Sequence, residues 1–164
     1  MDERAFLDAY EQTIAPLRAY VIRALGGVTH ADDIVQETYL RLLRLPSPPR
    51  DPAKLRPYLF RIASNLMIDH WRRHKHESQA GQEPEPVSAG QNVALAIDME
   101  RLFQQLRPRD RQLLWLAHVE GASHREIAAA LGIAMTSIKV LLFRARQRLT
   151  ALLEQSSRGS GEST

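Results

Sequence analysis

The chain has 164 residues, a net charge of +3 and a pI near 9.6, enough for one ordinary domain or two small ones with a mild affinity for polyanions. It has no cysteine, which excludes a disulfide framework and a thiolate metal site. The start, MDERAFLDAY, is charged and lacks an apolar signal core, and no apolar run approaches membrane-spanning length, so the reading is a soluble cytoplasmic protein.

The first predicted helix runs from about Arg4 to Leu25 and stops at Gly26-Gly27. Thr29 is a plausible N-cap for a second helix from His30 to about Leu45. On that helix Val35, Tyr39, Leu42 and Leu43 are expected to share a buried arc. Asp33, Gln36, Glu37, Leu40, Arg41 and Arg44 lie on the other side. An exposed leucine between acids and bases suits a partner surface better than a free solvent face. A stiff loop follows, LPSPPRDPAKLRP, holding five of the nine prolines. Proline excludes helix there and can preorganise a pocket.

The third helix carries Leu55, Leu59, Ile62 and Leu66 as its core stripe. Lys54 to His76 has six Lys/Arg and three His against one acid, Asp69. Its end, DHWRRHKH, interleaves cations with Trp71, a pattern suited to single-stranded nucleic acid, where bases stack and phosphates pair. His70 and His74 stand at i,i+4, but no acidic ligand accompanies them and there is no H-E-x-x-H pattern. Phosphate contact is the better use of histidines among arginines.

Residues 77–93 contain Gly81, Pro84, Pro86 and Gly90 and almost nothing to bury, which reads as a flexible or extended linker. Helical periodicity resumes over 94–155. Ser123 and Glu126 form a capping-box pattern, and Gly132 falls where a short helix must stop and turn. Ile138, Leu142, Ala145, Leu149 and Leu152 then define one buried face. Thr136, Val140, Phe143 and Gln147 fall opposite. Lys139 and Arg146 flank that face on one side; Ser137, Arg144 and Arg148 flank it on the other. A major groove needs that arrangement, a base-reading edge between cations for phosphates. The tail, 156–164, is expected to be disordered.

No strand-like alternation is sustained. The expected fold is all-α, two small helical domains joined by a flexible linker, the second containing a helix-turn-helix, and each half building its own core. The boundaries are 1–76, 77–93, 94–155 and a tail from 156. No nucleophile-base arrangement or phosphate-cradling glycine loop appears, so neither an enzyme nor a cofactor is expected.

Three blocks, DDIVQETYLRLLR, YLFRIASNLMIDHWRR and REIAAALGI…SIK…RARQRL, give the chain its family likeness. It resembles the extracytoplasmic-function class of bacterial RNA polymerase sigma factors over nearly its whole length, with the blocks in the family's order. The resemblance implies that the first block binds the clamp helices of core RNA polymerase through Asp33, Gln36 and Glu37, with Leu40 beside them. It implies that the second block and the proline loop hold the opened minus-ten promoter element. Asn65 would contact an extruded base, and Arg61, Trp71, Arg72 and Arg73 would line the strand. The third block would read duplex minus-thirty-five DNA through Arg125, Thr136, Ser137, Lys139, Val140, Phe143 and Arg144.

The departures lie in the reading helix. The family often has Gly-Thr-Val-Lys-Ser-Arg-Leu where this chain has Thr136-Ser137-Ile138-Lys139-Val140-Leu141-Leu142. Leu141 falls at the edge of the buried face, where it adds packing. Val140 falls on the base-reading face, where it can meet a thymine methyl. Ala134 is a weak residue at the expected N-cap. Members of the class are commonly held by an anti-sigma protein, and the polar linker would let the two halves close on one or spread over polymerase. Rival readings are a stand-alone helix-turn-helix repressor, which leaves the first half idle, and a sigma mimic that sequesters a regulator, which needs no cationic DNA surfaces.

Overall fold

The structure, a computed structural model, describes residues 1–75 and 93–161, with the backbone alone at 93–98 and 160. Among these residues every element is an α-helix: α1 (Glu3–Leu25), α2 (Ala31–Arg44), α3 (Pro52–Arg73), α4 (Val93–Gln104), α5 (Pro108–His118), α6 (His124–Leu131) and α7 (Met135–Gly161). The expected linker lies outside the described residues except for Val93.

Local chemistry sets the ends. The Asp2 carboxylate accepts the Ala5 amide at 2.8 Å to start α1, and Gly26 ends it in the left-handed region at φ 84°, a conformation that costs glycine little. Asp51 caps α3 by accepting from the Ala53 amide at 3.0 Å. Pro52 follows at the first helical position, where its missing N–H is no loss.

Three sequence expectations shift. The N-cap of α2 is His30, not Thr29. The Ala31 amide bonds to the Val28 carbonyl at 3.2 Å, and this turn places Thr29 one residue too early to cap. Leu43 is 48% exposed, not buried; Thr38 takes the inner position because its hydroxyl donates to the Ile34 carbonyl at 2.7 Å. The tail does not fray at 156, since α7 continues to Gly161. Once a helix is nucleated and packed through Leu149 and Leu152, each further residue adds a bond at little cost.

The core stripe of α3 is buried as expected, and Phe60, Ala63, Ser64 and Met67 are buried beside it. The reason is that α3 is covered on several sides, by α1, α2 and α6. Leu17, Tyr20, Leu42, Leu59 and Met67 from the first half join Leu113, Leu116, Ile127, Leu131, Ile138 and Leu142 from the second in one hydrophobic cluster. A smaller cluster, Leu106, Leu114 and Ala145 with Phe103, Leu149 and Leu152 around it, belongs to the second half alone. The halves therefore share their main core rather than each building a separate one.

Buried polar groups fix the alignment. The Tyr20 and Ser64 hydroxyls are 2.7 Å apart, Ser64 donates to the Phe60 carbonyl at 2.6 Å, and the Gln112 amide donates to the Ser64 carbonyl at 3.4 Å. Arg111 is 7% exposed and pairs with no carboxylate among the described residues. Its guanidinium donates to the carbonyls of Ala24 at 2.9 Å, Leu106 at 2.7 Å and Gln104 at 3.3 Å. The Ala24 and Gln104 oxygens lie at the C-terminal ends of α1 and α4, where helix dipoles favour a cation, and Leu106 lies in the turn just past α4. Desolvation by burial lowers the Arg111 pKa to about 10, so the group stays charged at neutral pH.

Candidate nucleic-acid and partner interfaces

The helix-turn-helix forms as the capping pattern predicts. The Ser123 hydroxyl accepts from the Glu126 amide and the Glu126 carboxylate accepts from the Ser123 amide, both at 3.1 Å. Gly132 turns the chain at φ 65° into α7. Ile138, Leu142 and Ala145 face the interior. On the opposite side Val140 is 49% and Phe143 58% exposed. Two large apolar side chains are thus left in water on a polar surface.

Lys139 and Arg144 stand exposed on either side of that pair, and Thr136 is exposed at the helix start with Ser137 half-buried beside it. Arg125 is exposed in the first turn of α6. The other two flanking cations are engaged elsewhere. Arg146 donates to His118 Nε2 at 3.0 Å, and Arg148 pairs with the buried Asp110 at 2.9 Å. Sequence spacing put both beside the groove. The structure uses Arg148 to neutralise an acid that is 4% exposed, which would otherwise be an unpaired buried charge.

A second exposed edge runs along α3. Arg61, Asn65 and Arg72 follow at four- and seven-residue steps and are all exposed. Ser64 is held inward by its two hydrogen bonds, and this sets the rotation that turns Asn65 outward. Arg73 is exposed and donates to the Asp69 carbonyl at 3.4 Å. Trp71 is half-buried and packs against the main core, so only part of its ring faces outward. The His30, His70 and His74 rings gather at the end of this helix, with centroids 4.8, 5.8 and 4.2 Å apart. Among the described residues no group of His, Asp or Glu is placed to hold a metal ion.

The third surface is on α2. Asp33, Gln36 and Leu40 are exposed. Glu37 is half-buried and reaches Arg41 at 3.3 Å and Arg44 at 3.5 Å. Beside them lies a groove between α1 and α2, lined by Tyr10, Ile14, Val35, Leu40 and Leu43 among others. Tyr10 and Leu43 are exposed here. The sequence reading missed Tyr10, because only the crossing of α1 over α2 shows that it borders Leu40.

No single helix among the described residues is long and apolar enough to cross a membrane. Residues 9–77 match the family description Sigma-70 region 2, and residues 97–149 match Sigma-70, region 4. The ECF RNA polymerase sigma factor EcfG of Rhodopseudomonas palustris is 33% identical, over 85% of this chain and 80% of its own length. The ECF RNA polymerase sigma factor SigE of Mycolicibacterium smegmatis is 27% identical over 86% of this chain, which spans 58% of that relative's length. The sigma factor RpoE from Bartonella quintana, solved in complex with the anti-sigma factor NepR, has the same fold: TM-score 0.71, 24% identity, 91% of this chain and 96% of that one. The two region matches and the EcfG likeness place this chain in the ECF family of RNA polymerase sigma factors.

Proposed function

We propose that the chain binds core RNA polymerase through α2, holds the opened minus-ten strand along α3, reads minus-thirty-five duplex with α7, and so directs transcription initiation. The phosphodiester chemistry belongs to the polymerase, and the chain works in the cytoplasm. Residues 1–76 form the polymerase and minus-ten module and 94–155 the minus-thirty-five module. An anti-sigma protein is a further partner, as NepR is for the Bartonella RpoE.

One observation supports this reading above the others: Val140 and Phe143 stand out of the protein between Lys139 and Arg144. The cations meet phosphates and the apolar pair meets base edges, so the two classes should fail differently. Replacing Arg144 by Ala weakens binding to all duplexes and flattens the salt dependence by about one counterion. Val140→Ser instead changes which minus-thirty-five sequence is preferred, by roughly 1–3 kcal/mol at one base pair. Salt titration and selection from random duplexes measure the two effects. Selection of the parent's sequences by Val140→Ser would remove Val140 from the reading face.

Asn65 can both donate to and accept from an unstacked base. Asn65→Ala is expected to lower transcription from duplex promoters more than polymerase binding, and to relax base preference at the minus-ten element. An unaltered preference in a library of minus-ten variants would argue against the contact.

A further inference from the structure

We infer that His118 is a positioning residue for the DNA face of α7: while neutral it holds the Arg146 guanidinium off the flank of the reading edge, and on protonation it releases that cation to a phosphate. The inference rests on reading α7 as the minus-thirty-five helix, and it names what tunes the affinity of that helix.

Arg146 follows Lys139 by about two turns of α7, so the two leave the helix on the same side of Val140 and Phe143. All four are exposed. Lys139 stands out beside the reading edge, whereas Arg146 is tethered. Its Nε donates at 3.0 Å to Nε2 of His118, in the last turn of α5. Both side chains line a groove between α4, α5 and α7, with Trp115, Leu149 and Thr150 beside them. The guanidinium is thus drawn toward that groove and away from the edge formed by Val140 and Phe143.

A guanidinium N–H can only donate. The His118 Nε2 atom therefore presents its lone pair, the ring proton is on Nδ1, and the imidazole is neutral. The other charged groups on the groove are Arg23 of α1 and Glu100 of α4, which pair with each other at 2.6 Å. Glu120, just past α5, pairs with Arg56 at 2.7 Å. On α6, which packs against α5 and α7, Glu126 caps its own helix, and His124 and Arg125 are exposed. The two diverted cations of α7 are thus held differently. Arg148 is bound to the carboxylate of Asp110, Arg146 only to a neutral base. That base is a histidine, the side-chain type whose charge ordinarily changes between about pH 5 and 8.

Protonation turns Nε2 into a donor and sets a positive charge against the guanidinium. The hydrogen bond is lost, and like charge drives Arg146 off α5 to join Lys139 on the phosphate-facing flank. Each phosphate neutralised steepens the fall of log K with log salt by about 0.9, and at about 0.15 M salt one such contact is worth about five-fold in affinity. A phosphate contact carries no base information, so sequence preference is unchanged. Since DNA binding favours the protonated imidazole, protonation favours DNA binding by the same factor. Duplex affinity rises as pH falls, and the gain is lost as pH rises.

Duplex binding by the full chain, followed by fluorescence anisotropy over a range of KCl at about pH 8 and about pH 5.5, tests this. One duplex is selected by the parent and one has random sequence. His124→Gln is introduced throughout, because a second exposed imidazole in the first turn of α6 would add its own pH dependence. The chain so prepared should bind both duplexes about five-fold more tightly at the lower pH, with a salt slope steeper by about one. Adding His118→Ala should give that tighter binding and steeper slope already at the higher pH. His118→Gln places an amide oxygen near the position of Nε2, where it accepts from Arg146 at either pH. This variant should match the unaltered His118 at the higher pH and gain nothing at the lower. If His118→Ala changes neither affinity nor slope at the higher pH, His118 restrains nothing and the inference falls. A gain that survives the addition of Arg146→Ala to His118→Ala overturns it as well, because the effect then does not pass through Arg146. If the parent binds neither duplex at either pH, the reading of α7 as a DNA helix falls, and the inference with it. Binding of both duplexes with all variants indistinguishable leaves that reading standing and removes the inference alone.

Discussion

Asp33→Arg combined with Glu37→Arg is expected to abolish stable association with core RNA polymerase while leaving the protein folded. Asp33 is exposed in the first turn of α2, and Glu37 lies one turn on along the same face. The reversal sets like charges across the interface and removes two acceptors, a change that typically costs several kcal/mol. About 3 kcal/mol corresponds to a loss of more than about 100-fold in affinity. The cost to the fold is much smaller. Glu37 gives up its pairs with Arg41 and Arg44, and an Arg–Arg i,i+4 contact costs about 0.2–0.5 kcal/mol. Loss of an acid from the first turn costs about 0.3–1 kcal/mol. Circular dichroism should therefore be unchanged. Unaltered polymerase affinity in the folded double variant would move the interface off this face. Failure of the parent to bind core polymerase at all would favour the stand-alone repressor or the sigma mimic.

The second large effect concerns stability. Leu113 has no exposed surface and belongs to the cluster that both halves share. Leu113→Ala is expected to cost about 2–5 kcal/mol, combining lost transfer free energy with a cavity. For a chain of this size that lowers Tm by about 2–4 °C per kcal/mol. A shared core makes a further demand. The chain has two tryptophans, Trp71 in the first half and Trp115 in the second, and both pack on the shared cluster. Fluorescence from each in turn, with the other replaced by Phe, should report the same denaturant midpoint. Leu113→Ala should shift both midpoints together, since coincident transitions are the mark of one cooperative unit. Two midpoints that separate, with only the Trp115 signal moved by the substitution, would show that the halves are stable independently.

Much of the interface chemistry was legible before any coordinates. Ser123, Glu126 and Gly132 specify the turn through backbone bonds made within a few residues. Such signals do not depend on what lies across the molecule. The outward placement of Val140 and Phe143 followed from helical periodicity alone. Arg148 was misplaced because its partner, Asp110, is remote in sequence. Periodicity reports which way a side chain leaves its helix, not what waits there. Leu43 failed similarly: apolar spacing made it a core candidate, and only the position of α1 leaves it at the border of a groove.

The sequence alone therefore determined the helical class and the surfaces that carry cations or acids. Each depends on local propensity, capping or a repeat read within one element. Tertiary structure decided how the halves meet. A buried arginine in α5 finds its acceptors at the end of α1, a glycine makes room for a glutamine in α4, and α3 is buried on more sides than one stripe predicts. These are non-local contacts. Any one element's pattern is compatible with many partners, and only packing all seven described helices selects which faces close on each other.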